Sequence, residues 1–224
     1  MCGRFGLFAR LDAIEDRFEA TFDHPYEPRY NIAPGGSGIP TIRNDDPTTI
    51  GLTSWGFVPE WAAEFDDWPA PINARAETVV GHRTFGSAFE HRRCLLPASG
   101  FFEWTGRRGH RIPHWITVTD ADLCAMAGIW TARETAEGDV YSTAIITTDA
   151  NEVVARLHDR MPVILEPDEE DRWLAGDDAA AILDPYPAAK TATTEVGRSV
   201  NDPTVDGPNL VEPVDGEQTG LDAF

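Results

Sequence analysis

Apolar residues in this chain come in short bursts, each stopped within a dozen residues by a turn former, and that narrows the folds open to it. GIPTIR, TTIGLTSWGF, RRCLLPASGFFEW, HWITVT, LCAMAGIW, YSTAIITT and MPVIL have the length and the β-branched or aromatic content of strands. Several mix alternation with continuous apolar character. One helical period stands out, RLDAIEDRFEATF, with Leu11, Ile14, Phe18 and Phe22 at three- and four-residue spacing. Shorter helical segments are expected near Ala74 to Val80, Asn151 to Leu157, and in EPDEEDRWLAG, where acids crowd the first turn as the helix dipole favours. HPYEPRYNIAPGG is too irregular for either period and reads as a connection.

Strands here do not alternate with long helices. The expected fold is therefore α+β: one β-rich domain with a bent or barrel-like, mostly antiparallel sheet and short flanking helices. It is expected to span residues 2–213, with 214–224 a mobile acidic tail. No apolar run approaches the roughly 18 residues of a membrane span. Arg4 and Arg10 precede no apolar run or cleavage site, so no signal peptide is expected. The three cysteines lack CxxC spacing, which argues against both a disulfide framework and a zinc site. The six histidines include no HExxH. We expect no metal or other cofactor, and a reducing, intracellular compartment: the cytoplasm, in association with the nucleoid.

The 224 residues hold 38 acids and 18 bases, a net charge of −20, and only one base, Lys190, is a lysine. A field of that size keeps a chain soluble and monomeric, and it is one signature of proteins built for high salt. Taken globally it opposes a polyanionic partner. Locally the balance reverses: from Asn73 to Arg111 seven arginines face three acids, whereas from Val163 onward fifteen acids face three bases. Such segregation suits a protein with one face turned to a phosphate backbone.

Four stretches carry candidate chemistry. MCGRF puts Cys2 directly behind the initiator methionine; with Met1 trimmed, as expected for so small a second residue, Cys2 would present an amine and a thiol on adjacent carbons. PINARAET holds Asn73 and Arg75, PASGFFEW holds Glu103 between aromatics, and LHDRMP holds His158 and Arg160. Each has a plainer reading. A free Cys is commonly a small buried hydrophobe. Asn73 could cap a helix, Glu103 could sit on a rim, His158 could be structural, and Arg75 could only pair with an acid.

Taken together, MCGRF, YNIAP (Tyr30 to Pro34), WGFVP (Trp55 to Pro59), INARAET, LPASGFFEW, HDRMP and the closing SVNDP…NLVEPV pattern resemble, in order and across nearly the whole chain, the SRAP family, named SOS-response-associated peptidases. The resemblance implies covalent capture of abasic sites in single-stranded DNA during the DNA damage response. The open sugar presents an aldehyde; the Cys2 amine would form an imine, and the thiol would close a five-membered thiazolidine. With unperturbed values of roughly 7.7–8.0 for the amine and 8.5 for the thiol, a useful fraction of each is expected to be nucleophilic near neutral pH. Glu103 then corresponds to the acid/base carboxylate, His158 to a second proton-transfer residue, and Asn73 to the group orienting the amine. Arg4, Arg75 and Arg160 resemble phosphate clamps, with Arg83 a further candidate. Thr147 matches a sugar or phosphate contact, Thr148 serving equally by spacing. Trp61 and Trp68 bracket the family's base wedge, but EFDDW departs from its spacing there and inserts acids. Two rival readings remain: a cysteine peptidase or autopeptidase using Cys2, and a non-catalytic module binding single-stranded DNA through arginines and tryptophans.

Overall fold

The computed structural model describes residues 2–35, 38–62, 68–107, 109–135 and 138–214. Met1, the acids of EFDDW, Arg108 and the expected tail from 215 lie outside the described residues. The chain begins with β1 (Phe5–Leu7), α1 (Leu11–Phe18), β2 (Thr21–Phe22), β3 (Arg29–Ile32), β4 (Ile39–Arg43) and β5 (Asp46–Trp55). Next come β6 (Asn73–Arg75), α2 (Ala76–Val79), α3 (Gly86–His91), β7 (Arg93–Ala98), β8 (Gly100–Thr105) and β9 (Ile112–Val118). The remainder comprises β10 (Cys124–Thr135), β11 (Gly138–Asp149), β12 (Arg160–Pro162), β13 (Ile164–Leu165), α4 (Pro167–Ala175) and β14 (Thr191–Glu195), joined by single 3-10 turns.

Five strands close on themselves. β5, β4, β7, β10 and β11 pair antiparallel in that order, and β11 returns to β5 through a parallel seam, Ser142↔Ser54 and Thr143↔Trp55. Closure leaves these strands no free edge, which is why their runs are apolar on successive residues. Cys94, Leu96, Met126, Ile129 and Ile145 are buried in the main core. β6 and β12 add short pairings along the far half of β11. A second sheet, β14-β9-β8-β1-β3, packs its own smaller core of Phe102, Trp115, Val196, Val200 and Leu210. The expected β-rich, bent, mostly antiparallel architecture is the observed one.

The chain passes from barrel to sheet within RRCLLPASGFFEW, which reads as one strand and folds as two. The break falls at Ser99–Gly100. A Cβ on Gly100 would lie 2.5 Å from the Ile116 carbonyl oxygen and 2.5 Å from the Trp115 ring, so only glycine lets β8 lie this close to β9. α4 runs as expected, with a reciprocal Glu166/Glu169 capping box and a left-handed Gly176 ending it. Its Glu170 holds Arg17 of α1 through two hydrogen bonds of 2.5 and 3.0 Å.

Several expectations need correction. α1 stops at Phe18, with Glu19 left-handed, so Phe22 belongs to a strand and Leu11 is exposed. Near Ala74 the helix covers only Ala76–Val79, because Asn73–Arg75 pair with β11. MPVIL divides between β12 and β13, which pair with different strands. YNIAP contributes β3, held by β1, to what reads as irregular connection. No helix is long and apolar enough to cross a membrane among the described residues.

Candidate active site

β1 lies antiparallel to β8 with Phe5 opposite Phe101 and Gly6 opposite Gly100. The Phe102 amide donates to the Arg4 carbonyl at 2.9 Å, so the ladder continues toward the chain start. In that register Gly3 falls opposite Glu103, and Cys2 beside it. Strand pairing, rather than sequence proximity, thus carries the start of the chain to a carboxylate a hundred positions away. Cys2 is 0% exposed, and the Asn73 amide donates to its carbonyl at 2.9 Å. The other Asn73 side-chain atom, Oδ1, is buried with no hydrogen-bond partner among the described residues. A buried acceptor left open costs about 1–3 kcal/mol, so it marks a place where a donor is expected.

Beside Gly3 opens a cleft of about 620 Å³, lined by Gly3, Arg4, Glu103, Trp104, Arg111 and His158, with Arg198 and Asn201 from the far end of the chain. Glu103 is 3% exposed, and burial pushes its carboxyl up to about 7. At neutral pH it is therefore divided between acid and base forms, the condition for moving protons both ways. His158 accepts the Arg160 amide at Nδ1, 2.9 Å away, and burial holds the ring below its ordinary value. The neutral ring then carries its proton on Nε2. Asp159 Oδ1 lies 2.8 Å from the same Nδ1, and bonds it only when that nitrogen carries a hydrogen.

The Cys2 thiol departs from expectation. Burial, reinforced by the Glu103 charge, raises it well above the ordinary thiol value, so little thiolate exists near neutral pH. A reaction that begins at this sulfur is disfavoured.

The expected DNA-contacting residues fall into distinct settings. Arg4 lines the cleft but is braced from behind, donating to Asn31 Oδ1 at 2.6 Å and to the Val200 carbonyl at 2.8 Å. Arg160 is not an open clamp. It is 7% exposed, bonds Glu77 twice, at 2.6 and 3.0 Å, and reaches Asp149 at 2.7 Å and the Thr147 carbonyl at 2.5 Å. Thr147 is 0% exposed with its hydroxyl 3.4 Å from the Ala74 carbonyl, and Thr148 is buried too; neither lines the cleft. Arg75 is exposed at the end of β6.

Arg83 and Trp61 line a separate depression of about 70 Å³, the guanidinium 5.3 Å from the ring centre. Trp68 donates to the Phe57 carbonyl at 3.0 Å and meets Trp61 edge-on at 5.1 Å, whereas Trp61 is 51% exposed. Trp61 is thus the more exposed ring of the two. The basic stretch is not one open face either. Arg93 is buried against the carbonyls of Phe89, Glu90 and Trp173, and Arg92 pairs with Glu60.

Sequence reading missed Trp104, Arg111, Arg198 and Asn201 as parts of the site. Trp104 sits beside Glu103 in FFEW, and its ring nitrogen donates to Asn201 Oδ1 at 2.6 Å. Asn201 belongs to the closing SVNDP pattern and Arg198 directly precedes it, a segment whose role is visible only once it folds back on β9. No group of three or more His, Cys, Asp or Glu placed to hold a metal is found among the described residues.

Comparison with known proteins follows the same residues. The family model described as SOS response associated peptidase (SRAP) matches residues 1–203. The chain is 36% identical over 222 residues to the abasic site processing protein YoqW of Bacillus subtilis (strain 168), covering 95% of this chain and 99% of that one. With the abasic site processing protein YedK of Escherichia coli (strain K12) it shares 30% over 229 residues, covering 96% and 100%. A crystal structure of a protein from Bacteroides thetaiotaomicron superposes with a TM-score of 0.82 at 25% identity, covering 95% and 99%.

Proposed function

The chain belongs to the SOS response associated peptidase (SRAP) family, and from that premise we propose that it captures abasic sites in single-stranded DNA as a covalent adduct at Cys2. The observation that carries this reading is convergence. Glu103 and His158 line one cleft with Gly3, directly after Cys2, whose carbonyl Asn73 holds, and that lining carries three arginines in a chain of net charge −20. That relatives carry the name abasic site processing protein supports the same substrate.

Removal of Met1 would leave the Cys2 amine one residue from the cleft lining. The open acceptor Asn73 Oδ1 takes one amine hydrogen and orients the nitrogen lone pair. Protonated Glu103 helps open the sugar, and the amine adds to the C1′ aldehyde. Loss of the carbinol oxygen as water, with a proton from Glu103, gives the iminium, whose nitrogen keeps its hydrogen. The sulfur then adds to the iminium carbon and its proton returns to Glu103, closing a thiazolidine and restoring the acid. Ring closure is intramolecular, with effective concentrations of order 10⁵ M or more, so a thiol held protonated by burial still reacts. His158 donates from Nε2 to a sugar oxygen. Arg160 holds His158 in place through its own amide and is itself fixed by Glu77 and Asp149. Trp61 supplies the stacking surface for a neighbouring base. The protein works inside the cell, as a monomer and without a cofactor.

A cysteine peptidase would need a thiolate–imidazolium pair, and the buried, Glu103-facing thiol works against one. Intact mass spectrometry decides among the readings. After incubation with a single-stranded oligonucleotide bearing one abasic site, the expected species lacks Met1 and gains the oligonucleotide mass less one water, and Cys2→Ala forms none. A Met1-free protein that forms no adduct at any salt concentration overturns the proposal. Binding without an adduct leaves the non-catalytic module.

A further inference from the structure

Arg111 and Arg198 line the same cleft, where the Arg111 charge acts on the Glu103 carboxyl. The β-ladder explains how they meet. β14 and β9 pair antiparallel from Thr191↔Val118 to Glu195↔His114, and the Val196 amide continues the ladder to the Pro113 carbonyl at 3.1 Å. Arg198 then opens a 3-10 turn, Arg198–Asn201, so the two arginines reach the cleft from adjoining segments rather than as a paired position. The β8–β9 hairpin and the segment after β14 are also well anchored. Asn201 bonds Trp104, Val200 is buried in the second core, and its carbonyl holds Arg4. Both arginines thus stand on a firm frame at the cleft.

We propose that Arg111 and Arg198 form a phosphodiester clamp, both guanidiniums gripping the DNA backbone beside the lesion from the wall of the cleft they share. This rests on the reading of the cleft as a DNA site, and it assigns the clamp to the β9–β14 edge. A phosphate held there takes bidentate hydrogen bonds from planar donors. Arg4 and Arg160, already committed to internal partners, serve more as supports.

The test uses an unmodified single-stranded oligonucleotide, so its readout does not depend on covalent chemistry. Affinity is measured by fluorescence anisotropy over a range of KCl in which melting curves show the fold intact, for wild type, Arg111→Gln, Arg198→Gln, the double variant and Arg198→Lys. Each Gln variant is expected to weaken binding roughly threefold or more and to lower the log–log salt slope by about 0.7. Arg198→Lys should keep the slope and lose part of the affinity. Melting temperatures of the Gln variants should stay near that of wild type, which separates lost contact from lost fold. Unchanged affinity and slope in the double variant would overturn the clamp even if wild type forms the adduct. If wild type forms no adduct, the covalent reading fails while these titrations still decide the clamp.

Discussion

Folded Glu103 gives up its proton near pH 7, well above the roughly 4.3 of an exposed glutamate. As pH rises between those values the unfolded chain ionises first, so ionisation favours unfolding. The penalty is absent below about pH 4, grows through pH 5 and 6, and is complete above about pH 7, on the order of 3 kcal/mol. Glu103→Gln removes the titration but keeps the shape. Its melting temperature relative to wild type should therefore climb from pH 5 to pH 8 while adduct formation slows by roughly 10²–10⁴-fold. A pH-independent difference in melting temperature would sink the burial account. The other cysteines carry no such tension. Burial pushes Cys94 and Cys124 up to about 12, and both are packing residues of the core.

Among the elements, β8 couples fold to chemistry, because the turn that lets it leave the barrel also aims Glu103 into the cleft. Gly100→Ala forces a methyl against the Ile116 carbonyl and Trp115 ring, contacts of 2.5 Å that backbone must yield to. Overpacking of this kind costs roughly 1–3 kcal/mol. Urea melts should show that loss together with slower adduct formation, whereas Gly197→Ala, with nothing within 4 Å of the new carbon, should change stability by less than about 0.5 kcal/mol. Equal midpoints for the two variants would refute the close-approach argument.

The same elements show what a sequence reader can see. The barrel strands were legible because closure buries them and writes that burial into apolar runs such as LCAMAGIW and YSTAIITT. β1, β3, β6 and β14 were not, since three to five residues of ordinary polarity become strand only when a neighbour offers its edge. RRCLLPASGFFEW hid its corner because the reason for Gly100 lies on β9. Cys2, Asn73, Glu103 and His158 could be nominated by motif, yet their meeting depends on the β1–β8 ladder. That Arg111 and Arg198 share a cleft was invisible, because β9 and β14 bring together segments eighty-seven positions apart. Arg93 and Arg160 counted as surface charge until burial showed them bonded to carbonyls and carboxylates.

For the whole molecule the governing quantity is the −20 charge, which opposes compactness wherever it is not screened. At 0.1 M salt charges interact over about 10 Å, and at 1 M over about 3 Å, less than the spacing of most surface acids. Stability should accordingly rise with KCl, most steeply below about 1 M, where the screening length changes fastest. Salt exclusion from apolar surface also stabilises, but that effect keeps growing with concentration and does not depend on charge. The two separate by pH. Near pH 4.5, the isoelectric point of the sequence, net repulsion vanishes. Melting temperature should therefore climb sharply from 0.1 to 1 M KCl at pH 8 and stay nearly flat over the same range at pH 4.5. A climb of equal size at both values would assign the stabilisation to exclusion and remove self-repulsion from the account. DNA capture should run the other way only in its first stage. Phosphate contacts at Arg111 and Arg198 weaken as salt rises, whereas a thiazolidine, once closed, has no ions to lose. At 1 M KCl the approach to the adduct should slow while the final yield at excess DNA stays near its low-salt value, and a yield that falls in step with affinity would show that binding, not bond formation, limits capture.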